Sequence, residues 1–474
     1  MSDQAFYMAA VLDRLDPGLF PRDSPLLDAQ ARLTGADEAV AALARLAARA
    51  GRSLPAVALL LHALSLLLLY SGALAIGARV YGSAAAAAAL ALALTLRHGI
   101  PRAGVNSLEG YFHPRLLVFA CGIVAVALFL RGRRGLPLIL VAVAGLVHPT
   151  TGVWFALWLG FALWVADPPA RRWLALGAAM AGTAALWALV DGPLAGRLVR
   201  MDGDWLAAIG DRTYLYPDTW PVYAWVANGA LVPIILLVHH ARRRAGLAGP
   251  REDGLVAGAM ALVAVFLLAL PLVALRIALA VQLQVGRVFW MLDFLATVLL
   301  VWLLARRRPA IAAAVLALCT MARGAYSQFV SHPDRPLVQV GLPAGDWRDA
   351  MAWAAQTPKD THWLADPGHA FRYGSSLRIA AGRDVFLEGS KDGALAIYDR
   401  QVAARVLERV QAIGDFSALT AARARALAAR YDLDYLVTEA RLELPVFYRA
   451  GRLFIYRLAP PRRVTAPPAP SGGE

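Results

Sequence analysis

Between residues 54 and 322 the chain is a nearly unbroken series of apolar runs, and short loops carrying clustered arginines separate them. The runs 54–75, 116–130, 255–274 and 288–305 approach the ~20 residues that cross a ~30 Å hydrocarbon layer. A soluble domain does not repeat such runs. With 59% hydrophobic residues over 474 positions and a mean hydropathy of +0.53, the chain lies well outside the soluble average. The stretch predicts a mostly α-helical polytopic membrane bundle on which any function must be built.

The net charge of +14 is almost all arginine, since Lys359 and Lys391 are the only lysines. A basic chain of this kind raises the question of nucleic acid. The arginines, however, stand in short loops between apolar runs, where the positive-inside rule puts them, so no nucleic-acid partner is expected. Cys121 and Cys319 both fall in apolar runs, with no CxxC spacing and too few for a disulfide framework. No residue pattern calls for a metal or another cofactor. Met1 opens onto the polar Ser2-Asp3-Gln4, which predicts no cleavable signal peptide.

Residues 1–53 read as an exterior amphipathic segment. A helix over 5–15 ends at Asp16-Pro17-Gly18, a stiff loop follows at Phe20-Pro21-Arg22-Asp23-Ser24-Pro25, and a second helix spans roughly 36–50. The transmembrane domain, 54–323, holds ten spanning or half-spanning runs at about 54–76, 82–97, 115–130, 136–147, 150–166, 173–190, 222–239, 254–276, 288–305 and 309–323. The runs 136–147 and 150–166 meet at His148-Pro149 and read as a helical hairpin or broken helix. Arg79, Arg131 to Arg134, Arg171 and Arg172, Arg242 to Arg251, and Arg306 to Arg308 all fall in alternate loops, which predicts that those loops are cytoplasmic. Residues 324–460 read as a small exterior α/β domain, with helices over 346–356 and 394–411 and strands at 361–365, 384–387, 435–437 and 453–456. A Pro- and Gly-rich tail, 461–474, is expected to be disordered.

Polar residues crowd the exterior ends of the runs. Asp3 and Asp23 are candidates for a general base toward an acceptor hydroxyl, with Tyr7 beside Asp3. Arg102, Glu109 and His113 stand in one exterior loop, His148 at the helix break, and Gln284 and Arg287 at another membrane boundary. An arginine there suits the bidentate contacts of a lipid phosphate. Each has a plainer reading as a helix cap, an interfacial anchor or an inter-helix ion pair.

The opening Ser2-Asp3-Gln4-Ala5-Phe6-Tyr7 with 15–23, the turn His148-Pro149-Thr150-Thr151-Gly152, and a C-terminal set resemble the GT-C superfamily of integral-membrane glycosyltransferases, and one uncharacterised branch in particular. That C-terminal set comprises Trp353, 357–360, Phe371-Arg372, Ser376, Arg378, 431–437 and 453–456. The resemblance implies inverting transfer of a sugar from a polyprenyl-phosphate carrier to an acceptor outside the cytoplasm. It implies Asp3 as the matching base, basic residues on the lipid phosphate, and a multi-pass protein of the bacterial inner membrane with both termini outside. In that superfamily the aspartate follows a first transmembrane helix, and here Met1 stands where that helix would end. A lipid or polyanion transporter or flippase, and a non-catalytic GT-C-like scaffold, are the competing readings.

Overall fold

A computed structural model describes residues 4–459 of the chain, and side chains from residue 8 onward. The N-terminal helices are α1 (Gln4–Leu15), α2 (Ser24–Ala31) and α3 (Ala36–Arg49). The apolar region follows as α4 (Leu54–Tyr81), α5 (Ala84–Thr95), α6 (Pro114–Leu130), α7 (Leu136–Val147), α8 (Pro149–Ala166) and α9 (Arg171–Val190). It continues through α10 (Gly203–Ile209), α11 (Val222–Gly229), α12 (Leu231–Arg244), α13 (Pro250–Ala274), α14 (Ala278–Gln282), α15 (Val288–Ala305) and α16 (Pro309–Tyr326).

Two compact units emerge, and they divide the chain differently from the expected boundaries at 53 and 323. One gathers Ala5–Asp28 with the residues from Leu342 on; the other is Ala29–Gly341. The N-terminal 53 residues are therefore not one segment. The reason is packing: Ala9, Ala10, Phe20 and Leu27 form an apolar cluster against Leu19 and Ile379, so this stretch belongs to the α/β core.

The second unit is a multi-pass membrane bundle. Among the described residues seven helical stretches are long and apolar enough to cross a bilayer: Leu54–Tyr81, Pro149–Ala166, Pro168–Val190, Val222–Arg244, Pro250–Ala274, Ala278–Ala305 and Pro309–Ser331. The shorter apolar helices are α5, α6 and α7. All ten expected runs are thus helical, and the stretch 149–166, read as a helical hairpin arm or half of a broken helix, is long and apolar enough for a full span. No residue of α9 is buried, although Trp173, Met180 and Trp187 are among its side chains, which suits a helix solvated by lipid.

Small residues set the closest helix contacts, as they do where lipid supplies no hydrophobic drive between helices. Gly254 and Gly258, one turn apart on α13, lie against α8. A Cβ on Gly258 would stand 2.4 Å from the carbonyl oxygen of Trp158, and one on Gly254 equally close to that of Ala162. Trp158 then donates its indole N–H to Leu255 O at 2.9 Å. The α7–α8 hairpin closes the same way, since a Cβ on Gly152 would fall 2.5 Å from Gly145 Cα.

The first unit carries a five-stranded sheet in the order β2-β1-β3-β5-β4, from β1 (His362–Leu364), β2 (Asp384–Val385), β3 (Tyr435–Thr438), β4 (Val446–Ala450) and β5 (Leu453–Arg457). β1 pairs parallel with β2 and β3, and β5 pairs antiparallel with β3 and β4. Trp347, Met351, Trp363, Leu377 and Ile455 fill one core cluster. The strand 446–450 is additional to those read from sequence. It is a sheet edge whose side chains are mostly exposed, so it lacks the alternation that marks a half-buried strand.

Candidate functional site

Two His-Pro dipeptides build the same local structure at two places in the membrane bundle. His113 is the N-cap of α6 and His148 the N-cap of α8, each with proline at the first helical position, where a missing N–H costs nothing. The His113 Nδ1 accepts from the Arg115 N–H at 3.2 Å. The His148 Nδ1 accepts from the Thr151 hydroxyl at 2.9 Å and faces its N–H at 3.4 Å. A ring that accepts through Nδ1 carries its neutral-form proton on Nε2, so each imidazole keeps one N–H pointed away from its own cap. The rings stand 6.3 Å apart, edge to face.

Cations surround this pair. Arg287, at the start of α15, is buried and donates through Nη1 to Thr150 Oγ1 at 3.3 Å. Arg115 is also buried; it is paired with Glu109 at 2.7 Å and donates to Gly104 O at 3.3 Å. Both guanidinium groups lie close enough to bear electrostatically on His148. The N-terminal ends of α6 and α8 add their partial positive charge to the same place. The arrangement gathers hydrogen-bond donors beside Arg287, with the charge of Arg115 balanced by Glu109, and donors so gathered suit an oxyanion such as a phosphate.

The other expected residues divide around it. Glu109 is fully buried and bridges Arg115, Arg97 at 3.6 Å and Asn106 at 3.2 Å, so it holds the loop rather than facing a substrate. Arg102 takes left-handed backbone (φ 53°) and reaches away, to Thr213 Oγ1 at 2.7 Å and Tyr223 Oη at 3.1 Å. Gln284 is buried and left-handed (φ 51°), forming the sharp turn that delivers Arg287 to the head of α15. Asp3 and the side chain of Tyr7 lie outside the described residues. Arg276, at the same membrane boundary, pairs with Asp218 at 2.9 Å, while Asp293 pairs with His98 at 3.1 Å.

Asp23 lies in the first unit with none of its surface exposed. Its Oδ2 accepts from Arg378 Nε at 2.7 Å and its Oδ1 from Arg405 at 2.6 Å. Burial pushes its pKa up, but Arg378 and Arg405 outweigh burial and hold the carboxyl well below the usual range. Arg378 also grips Asp392 through both terminal nitrogens, at 2.6 and 3.0 Å. Asp384 accepts the backbone N–H groups of Arg22 and Asp23, both at 3.0 Å. A carboxylate with both oxygens in ion pairs and no open surface is poorly placed to take a proton from an acceptor, and this geometry is that of a structural centre.

Sequence reasoning placed Arg115 in one exterior loop with His113 but missed its approach to His148, and it missed Thr150 as the contact of Arg287. The signal available was the repeated His-Pro dipeptide, since an arginine two residues after a capping histidine lies on the first helical turn. An apolar groove of about 560 Å³ between α3 and α4, lined by Leu43, Leu46, Val57, Leu60 and Leu64, was also missed. The segment that opens α3 is tied to the last turn of α7 beside His148, where Gly35 N–H donates to Leu146 O at 3.1 Å. No protein-family model matches the chain, and no curated protein matches it.

Proposed function

We propose that the chain is a GT-C-like membrane glycosyltransferase that moves a sugar from a polyprenyl-phosphate carrier to an acceptor at the exterior face of a bacterial inner membrane. The observation that carries this reading is the cluster of His113, His148, Arg115 and Arg287 at one end of the apolar bundle. Two Nε2–H donors, two guanidinium groups and two helix N-termini suit a lipid phosphate at the membrane boundary. The groove between α3 and α4 offers an apolar surface for a hydrocarbon chain. Arg287 neutralises the phosphate as the sugar departs, and inversion requires a base on the opposite face of the anomeric carbon. Asp3 is the base this reading assigns, and Asp23 is left a structural role.

The test is transfer from a polyprenyl-phosphate sugar by the purified full chain in lipid nanodiscs, with Arg287→Ala and Asp3→Asn alongside. Loss of transfer in both, with Asp3→Asn still binding the carrier, is the expected result. A carrier that is bound and moved across the bilayer without sugar transfer would favour the flippase reading. No carrier binding at all would leave only the scaffold reading.

A further inference from the structure

The opposite end of the bundle holds a cationic cavity of about 660 Å³. It lies at the far end of α8 from His148, some 27 Å away by helix rise, and nothing in the transfer reading uses it. The ends of α4, α6, α8 and α12 and the start of α13 form its wall. Arg79, Arg131, Arg134, Arg242 and Arg251 line it against only two carboxylates, Asp167 and Glu252, so five positive groups face two negative ones.

The wall is built rather than incidental. Arg251 donates to the carbonyl oxygens of Phe129, Gly132 and Arg133 at 2.9, 3.2 and 3.3 Å, which caps the end of α6 and fixes the guanidinium. Arg242 is 1% exposed, lies over the Trp302 ring at 4.8 Å, and is held by Glu252 through Nε and Nη2 at 2.5 and 2.9 Å. Its remaining nitrogen, Nη1, is buried without a hydrogen-bond partner among the described residues. Arg134 is paired with Asp167 at 2.5 Å, whereas Arg79 and Arg131 add exposed positive charge at the mouth. Val80, Leu130, Ala166 and Leu247 give the same cavity an apolar flank.

We infer that this cavity binds a phosphate-bearing anion carrying two or more negative charges. The source is either the headgroup of an anionic membrane lipid or a soluble phosphate; basic pockets between membrane helices take such headgroups. The three unbalanced positive charges set the charge class.

The experiment is native mass spectrometry of the full chain in neutral detergent, titrated with cardiolipin, phosphatidylglycerol, phosphatidylcholine and, separately, inorganic pyrophosphate. Cardiolipin or pyrophosphate should bind well above phosphatidylcholine. The double variant Arg79→Ala/Arg131→Ala removes only exposed mouth charges and should weaken that binding roughly 30-fold, about fivefold per arginine. Arg307→Ala/Arg308→Ala, outside the cavity, should leave it unchanged. Cardiolipin binding that pyrophosphate fails to displace assigns the lipid source; displacement assigns the soluble one. Equal binding of cardiolipin and phosphatidylcholine with no pyrophosphate binding, or equal losses in the two double variants, would overturn the site.

Discussion

Replacing Asp23 separates a structural carboxylate from a catalytic one. Asp23 is fully buried against Arg378, itself 1% exposed, and Arg405. Removing one partner of a buried ion pair leaves the other charge stranded, at a cost of about 3–5 kcal/mol. Two features move the expected cost to the lower end. Arg378 keeps its bidentate grip on Asp392, and Asp384, pushed up to about 7 by burial and then by Asp23, loses that repulsion and ionises more readily. Asp23→Ala should therefore cost about 3 kcal/mol. In hydrogen–deuterium exchange on the full chain, that is a roughly 100-fold faster exchange of core amides in β1, β2 and β3. Amides of α8 and α13 should be unchanged, since they belong to the other unit. Asp23→Asn, which keeps the shape, should fall between. Unchanged exchange in Asp23→Ala, together with lost sugar transfer, would refute this reasoning and return Asp23 to the role of base.

Other outcomes follow from the same geometry. Burial pushes Asp384 and Glu388 up to about 7, so the folded first unit retains protons that the unfolded chain releases near pH 4. Their stabilisation is present at low pH and lost as pH rises through 7: core exchange should quicken between pH 5.5 and 8 beyond its intrinsic rise, and Glu388→Gln should flatten that slope. Gly258→Leu should disrupt α8–α13 packing by about 1–3 kcal/mol, read as a lower Tm in detergent, while the same change at Gly160, which has open space, should not. In a background without Cys121 and Cys319, a cysteine at Ser417 should be labelled from outside and one at Ala245 only from the cytoplasm; labelling of both from one side would contradict the proposed topology.

Much of the fold was legible because the bilayer imposes a coarse rule. A run of apolar residues must be helical when lipid supplies no hydrogen bonds, so all ten runs and the hairpin at His148 could be read directly. The loop arginines could be assigned to one end by alternation, and Arg79, Arg131, Arg134, Arg242 and Arg251 do meet in one cavity. The unit boundary was not legible. Phe20 and Leu27 pack beside Ile379, more than 350 positions away, and nothing local to residues 5–28 signals so distant a partner. The burial of Asp23 was not legible for a related reason: a carboxylate in a Pro-flanked loop looks exposed until Arg378 and Arg405 arrive from the far end of the chain. His113, His148 and Arg287 were each marked by position, but only the repeated cap geometry shows that two of them present the same ring edge.

The most direct test of the account is binding of a polyprenyl phosphate, against the matching polyprenol, to the full chain in phosphatidylcholine nanodiscs. The phosphate should dominate, with the carrier bound at least 100-fold tighter than the alcohol. Arg287→Ala should erase most of that difference, at roughly 1.5–3 kcal/mol for a charge-assisted contact. Its effect on the alcohol should be small. Equal affinity for phosphate and alcohol in the unaltered chain, or an undiminished phosphate preference in a folded Arg287→Ala protein, would contradict the assignment.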